Sequence, residues 1–279
     1  VEESNLVNNK NLIFTNNEDD ISEAVFYIVT VPTPIDRVNR PNFKALKNAC
    51  STIAKYLKKN DIVIFESTVY PGATREICIP ILEKNSGLNL NTDFGVGYSP
   101  ERVNPGDKKR SISDIVKVTS GSDSNTTDRV DTLYKRIINA GTYRAQSIET
   151  AEAAKVIENT QRDINIALMN ELSKIFNKLG ISNKDILKAA NTKWNFLDFT
   201  PGLVGGHCIG VDPYYLTEKA LQVGYKPELI LAGRRINDEM PKYVVDQFVK
   251  LFLKKNIKKE SIKVLILGIT FKENCPDIR

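Results

Sequence analysis

The sequence predicts an α/β fold in three parts: a helix-flanked parallel sheet, a helical middle, and the opening of a second α/β unit. Three observations predict it. Short apolar runs rich in β-branched and aromatic residues alternate with amphipathic stretches over residues 1 to about 120. One helical pattern then fills about 150–179 without a break, and near the end a further apolar run meets a glycine turn. At 279 residues and 41% hydrophobic content the chain has enough apolar side chains for a full core, in one large domain or two.

"AVFYIVTVPTP" ends in prolines and reads as the first strand, "DIVIFESTV" as the second and "FGVGYSPE" as the third. Between the first two, "NFKALKNACSTIAKYLKKN" sets Phe43, Leu46, Ala49, Cys50, Ile53, Ala54 and Leu57 at helical spacing, giving a strand–helix–strand order. Strands joined by crossover helices pair in parallel, and such sheets take ligands beyond the carboxyl ends of the strands. Those ends read "VPTP", "ESTV" and "SPERVNPG".

In "TAEAAKVIENTQRDINIALMNELSKIFNKLG", Ala154, Ile157, Gln161, Ile164, Leu168, Leu172, Ile175 and Leu179 form one stripe at steps of three or four, and Gly180 supplies the stop. Roughly 30 helical residues span about 45 Å, more than a small domain's core, so a subunit interface is expected there. "NKDILKAAN", "DPYYLTEKALQVG" and "MPKYVVDQFVKLFLKK" predict further helices, the last with Pro241 in its first turn. In "IKVLILGITFKENCPDIR", Val264 to Leu267 predict a buried strand running into a glycine turn, the usual opening of a nucleotide-type α/β unit. No strand leads into G-x-G-x-x-G, so the phosphate-binding turn of the first unit is expected upstream of Val1, and both ends read as truncated.

Composition narrows the function classes. Lys and Arg number 39 against 34 Asp and Glu, and the basic residues are interspersed with acids. That reads as a solvated surface without a nucleic-acid partner, while a basic pocket for an anionic small molecule stays open. No run reaches the roughly 18 to 20 apolar residues of a membrane helix, and the first residues lack the order of a signal peptide; a cytoplasmic protein with no membrane partner is expected. Cys50, Cys78, Cys208 and Cys275 are widely spaced, and there is one histidine, so neither a disulfide framework nor a metal site is expected.

The stretch "PGLVGGHCIGVDPYYL" (201–216) places Cys208 inside a glycine-rich turn, four residues ahead of Asp212. A cysteine there is either a nucleophile or an inert buried thiol. A Cys208–His207 pair would make a cysteine hydrolase, but adjacent residues seldom present both side chains to one hydrogen bond. Asp212 taken alone is the N-cap of a helix starting at Pro213. Lys155 taken alone is a solvated helix residue, with Asn159 one turn further along the same side.

At "ESTVYPGAT", "SPERVNPG", "AEAAKVIENT", "GGHCIGVDPYYL", "GRRIND" and "LGITFKENCPDIR" the sequence resembles the UDP-glucose/GDP-mannose dehydrogenase family. It looks closest to the branch that oxidises C6 of UDP-N-acetylhexosamines for surface polysaccharides. The resemblance covers essentially the whole chain, in order. It implies a partial Rossmann-like NAD domain at 1–143, a central long-helix dimerisation domain at 144–257, and the start of a second Rossmann-like, nucleotide-sugar-binding domain at 258–279. It implies NAD as cofactor, a UDP-sugar as substrate, and a homodimer or higher homo-oligomer through the long helix.

The family's reaction turns a primary alcohol into an aldehyde and then a carboxylate, through a thiohemiacetal and a thioester on cysteine. Cys208 matches the nucleophile. Lys155, Asn159 and Asp212 match the residues that handle the proton and the developing oxyanion. Glu101 matches the general base for the hydrolytic water, and Thr68 a hydroxyl that helps hold that water. For NAD, the resemblance points to Pro32, Thr33, Glu66, Ser67, Thr68 and Arg279. For the UDP-sugar it points to Glu101, Arg102, Val103, Asn104, Lys155, Asn159, Asn195, Phe196, Phe199, Gly202, Gly205 and Lys272, with Arg234 and Arg235 as further candidates. Pro105 departs from the acidic residue of the UDP-glucose enzymes and weakens that assignment. UDP-glucose or GDP-mannose oxidation, a catalytically silent binding module, and the cysteine hydrolase remain as alternatives.

Overall fold

The structure, a computed structural model, describes residues 11–104, 107, 109–206, 209–255, 263–268 and 270. Strands β1 (Phe26–Val29), β2 (Ile62–Phe65), β3 (Gly95–Tyr98), β4 (Lys117–Gly121) and β5 (Thr142–Arg144) form one sheet in that spatial order. β1, β2 and β3 pair in parallel, β3 and β4 antiparallel, and β4 and β5 in parallel. The predicted parallel sheet is therefore present, with one reversed pairing. Helix α1 (Lys44–Ala54) is the predicted crossover, and α2 (Ile79–Ser86) and α3 (Ser124–Lys135) make further connections.

β2 explains how the sheet is covered. All four of its residues are buried, and successive side chains point to opposite faces. Val63 and Phe65 join Leu46, Cys50 and Ile53 of α1 and Leu82 of α2 in one core cluster. Ile62 and Ile64 join Val130 and Tyr134 of α3 in a second. Burying each such aliphatic side chain contributes about 1.5–3 kcal/mol, so a strand apolar at every position is stable only between two helical layers. Gly121 closes β4 against α3: a Cβ there would lie 2.5 Å from the Thr127 backbone nitrogen.

Helix α4 (Ile148–Leu179) is the long helix. The Ser147 side chain accepts from the Thr150 amide at its start, and Gly180 ends it in the left-handed conformation, φ 71°. Half of its apolar stripe does not face the core. Ile157, Leu168, Ile175 and Leu179 are 54, 47, 45 and 64% exposed, whereas Glu152, Lys155, Asn159, Asp163 and Asn170 are buried. The polar face turns inward because the elements packed there supply hydrogen-bond partners.

The chain continues through α5 (Asn183–Ala190), α6 (Asp212–Gln222), α7 (Glu228–Asp238) and α8 (Met240–Lys254). α7 approaches α4 closely at Gly233, where a Cβ would meet Ala167 and Ile164 at 3.6 Å. The strand expected at Val264–Leu267 is not formed: these residues are 61 to 86% exposed and join no sheet. No described helix is long and apolar enough to cross a membrane.

Candidate active site

The carboxyl ends of β1, β2 and β3 lie together. The Glu66 amide donates to the Val29 carbonyl and the Ser99 amide to the Phe65 carbonyl, both at 2.9 Å, which carries the parallel register into the loops. The Thr33 hydroxyl donates to the Thr68 carbonyl at 2.6 Å, and the Ser67 hydroxyl to the Val31 carbonyl at 2.6 Å. These bonds tie the turn after β1 to the turn after β2. After β3, Glu101 accepts from the Val103 amide, and Arg102 reaches α4 through Glu158 at 2.6 Å.

Opposite these ends, α4 and the start of α6 place three polar groups in one buried cluster. Lys155 and Asn159 stand one turn apart on the inward face of α4, and the Asn159 amide donates to the Asp212 carboxylate at 2.5 Å. Burial pushes the Asp212 carboxyl up to about 6, while the Asn159 hydrogen bond and the Lys155 charge pull it down. Such a carboxyl changes charge just below neutral pH, and beside a buried amine and an amide donor it can move a proton or steady an oxyanion. α6 starts at Asp212 itself, with Val211 as its cap residue and no side-chain cap bond. The capping role expected for Asp212 is thus not realised: it is the first helical residue, and one of its oxygens accepts from Asn159. Further along α6, the Tyr215 hydroxyl donates to the Thr33 carbonyl, joining the helical part to the loop after β1.

Two family profiles match this chain. The UDP-glucose/GDP-mannose dehydrogenase family NAD binding domain matches residues 3–138, and the central domain of the same family matches residues 149–239. The chain belongs to the UDP-glucose/GDP-mannose dehydrogenase family. It is 62% identical over 96% of its length to a UDP-N-acetyl-D-glucosamine 6-dehydrogenase of Pseudomonas aeruginosa, covering 64% of that protein. It is 56% identical over 99% of its length to Protein CapL of Staphylococcus aureus, covering 65% of it. Among solved structures, the UDP-D-ManNAc dehydrogenase of Pyrococcus horikoshii superposes with a TM-score of 0.87 at 31% identity, over 95% of this chain and 62% of that one. The chain spans less than two thirds of the length of these relatives.

In this dehydrogenase-family chain, Pro32, Thr33, Ser67, Thr68, Glu101 and Arg102 fall after the strand ends, and Lys155, Asn159 and Asp212 form one buried cluster on α4 and α6. Glu66 is also at a strand end, but its carboxylate is engaged by Lys117 at 2.9 Å and by the Tyr134 hydroxyl. Val103 and Asn104 are exposed beyond β3, and Asn195, Phe196 and Phe199 lie on the segment after α5. Gly202 is held on α4, about four turns from Lys155. Gly205 is exposed on the approach to Cys208. His207, Cys208, Lys272, Cys275 and Arg279 lie outside the described residues, as does Pro105. Arg234 is committed to a buried ion pair with Asp163 at 2.7 Å, so its guanidinium is a structural group rather than a free anion binder. Cys50 and Cys78 are buried and reduced; the Cys50 neighbour and burial push the Cys78 thiol up.

Sequence reasoning missed Glu152, Asp163, Asn170 and Asn237, all buried. The signal was present on α4: Glu152, Lys155, Asn159 and Asp163 follow one another at steps of three and four, a polar stripe as regular as the apolar one.

Proposed function

We propose that this chain belongs to an NAD-dependent nucleotide-sugar 6-dehydrogenase that oxidises the C6 alcohol of a UDP-N-acetylhexosamine to the uronic acid in two steps, through Cys208. The observation that carries the reading is the buried Lys155–Asn159–Asp212 cluster, whose helix α6 is bonded through Tyr215 to Thr33 in the loop after β1, at the end of the sheet where this fold takes its ligands. The site suits a nicotinamide cofactor: the turns holding Thr33 and Thr68 are fixed to each other, and they adjoin a cluster able to handle a proton. NAD, when bound there, accepts hydride.

The residues divide the work. In the first step the C6 hydroxyl would give its proton toward the Lys155–Asp212 pair while the C6 carbon gave up hydride, leaving an aldehyde. The Cys208 thiolate adds to the aldehyde carbon, and Lys155 with Asn159 stabilises the resulting oxyanion. Loss of hydride from the carbon of that adduct, which a second bound NAD would accept, would leave a thioester on Cys208. Glu101 deprotonates a water positioned with Thr68, the water attacks the thioester carbon, and the C–S bond breaks to release the carboxylate and regenerate the thiol. Arg102, Val103, Asn104, Asn195, Phe196, Phe199, Gly202, Gly205 and Lys272 are assigned to the UDP-sugar, and Pro32, Glu66, Ser67 and Arg279 to the cofactor. Identity of 62% to a UDP-N-acetyl-D-glucosamine 6-dehydrogenase supports a UDP-N-acetylhexosamine as the first substrate to assay. The exposed apolar stripe of α4 supports pairing of two copies through that helix.

The test is Cys208→Ser in the intact protein, assayed for uronate with NAD. A sharp loss of acid is expected; near-normal uronate removes Cys208 from the mechanism. His207→Ala is expected to be much milder, and an equal loss would point to a Cys/His pair instead.

A further inference from the structure

We infer that Asn170 is a positioning residue that grips the main chain of Gly202 and so fixes the segment leading into Cys208; the catalytic half of this inference rests on the function proposed above. Asn170 is fully buried on α4. Its Nδ2 donates to the Gly202 carbonyl at 3.0 Å, and its Oδ1 accepts from the Gly202 amide at 2.9 Å. A carboxamide is a neutral side chain that can satisfy both main-chain groups of one residue at once, as a neighbouring strand would.

The orientation of that amide is itself enforced. The second Nδ2 hydrogen is donated to Asn237 Oδ1 at 2.8 Å, and Asn237 Nδ2 donates to the Asp163 carboxylate at 2.7 Å and the Asp163 carbonyl at 3.0 Å. Arg234 holds the same carboxylate oxygen at 2.7 Å. Asp163 accepts only, so Asn237 must present its oxygen to Asn170, and Asn170 must present its own oxygen to the Gly202 amide. Reversing any member breaks the chain of bonds.

The other hydrogen bonds of the segment after α5 are mostly local, such as Asn191 Nδ2 to Asp198 at 2.8 Å and the Phe199 amide to the Leu197 carbonyl at 2.8 Å. The segment contains no helix or strand up to Gly206, and Trp194, Leu197 and Leu203 are exposed. An irregular segment without buried apolar anchors samples many conformations. Five residues lie between Gly202 and Cys208 in the sequence, so freeing Gly202 loosens the described approach at 202–206 and, on the function proposed above, is expected to lower turnover.

Two measurements on the intact protein test this. In hydrogen exchange of the wild type, the Gly202 amide is expected to be protected relative to Leu203; exchange at the rate of an open chain overturns the grip without any variant having to fold. In Asn170→Asp, which keeps the shape but removes both donors, Gly202 exchange is expected to rise about tenfold or more. Turnover with UDP-N-acetylglucosamine and NAD should fall by about tenfold or more, a larger factor than any rise in KM for the sugar. Raised Gly202 exchange with unchanged kcat overturns the positioning role. Full uronate formation by Cys208→Ser overturns the thiol reading, and is separable because the wild-type protection of Gly202 does not depend on Cys208.

Discussion

Asp212 is where local chemistry and stability pull in opposite directions. Its carboxyl, raised by burial to about 6 from 3.8, gives stability that is full below about 3.8 and is lost as pH rises through about 6. At neutral pH it is a buried charge kept by Asn159 and Lys155, a destabilising arrangement that suits a working site. If the carboxylate form is the active one, kcat/KM rises with pH through about 6. Asp212→Asn should flatten that limb and lower the plateau; an unchanged acid limb assigns the titration elsewhere. Lys155→Ala should reduce kcat by about 100-fold or more while barely changing KM, since its charge matters most when an oxyanion forms. A variant with raised KM and normal kcat would make Lys155 a binding residue only.

Glu152 shows how one element is fastened to another. Its carboxylate, fully buried on α4, accepts from the Gly72 amide at 2.5 Å and the Thr74 amide at 2.9 Å, gripping the loop that follows β2. Burial lifts this carboxyl to about 7, against the pull of Thr74 and Gly72, with Glu149 adding to the rise. The folded state therefore holds a proton that the unfolded chain releases near 4.5, and stability from this group is present below about 4.5 and lost as pH rises through about 7. Glu152→Gln should remove that slope from denaturant unfolding measured between pH 5 and 8, at a cost of about 1–3 kcal/mol at low pH from the mispaired Thr74 or Gly72 amide. An unaltered slope would place the titration in another group. At the junction of β4 and α3, Gly121→Ala should cost about 1–3 kcal/mol, because the added methyl meets backbone that cannot swing aside. Unchanged unfolding of that variant would show that the Asp123 turn gives way freely.

At the scale of the whole molecule, α4 belongs to two surfaces. One side carries the polar cluster and receives α6 and α7; the other presents Ile157, Leu168, Ile175 and Leu179 to solvent. A single copy leaves that apolar stripe wet, which is the state that association removes. Sedimentation of the intact protein should give a dimer or larger assembly, and the Leu168→Glu/Ile175→Glu double variant should shift it toward the monomer. A wild-type monomer, or a variant that assembles as tightly as the parent, rejects this face as the interface.

The sequence by itself determined the α/β class, the strands at Phe26–Val29, Ile62–Phe65 and Gly95–Tyr98, and the length of α4, because apolar period and the Gly180 stop are local properties read residue by residue. It also pointed to Lys155, Asn159 and Asp212 through their family context. Short β5, with one partly buried and two exposed residues, carried too weak a pattern to be seen, and so did the reversed pairing of β4. Only the tertiary structure decided that Ile157, Leu168, Ile175 and Leu179 of α4 face outward and that Asp212 bonds Asn159 from the first position of α6. The physical reason is common to both: burial is settled by what packs against a residue. A buried polar face is stable only when partners from distant segments, such as Gly72, Gly202 and Arg234, complete its hydrogen bonds.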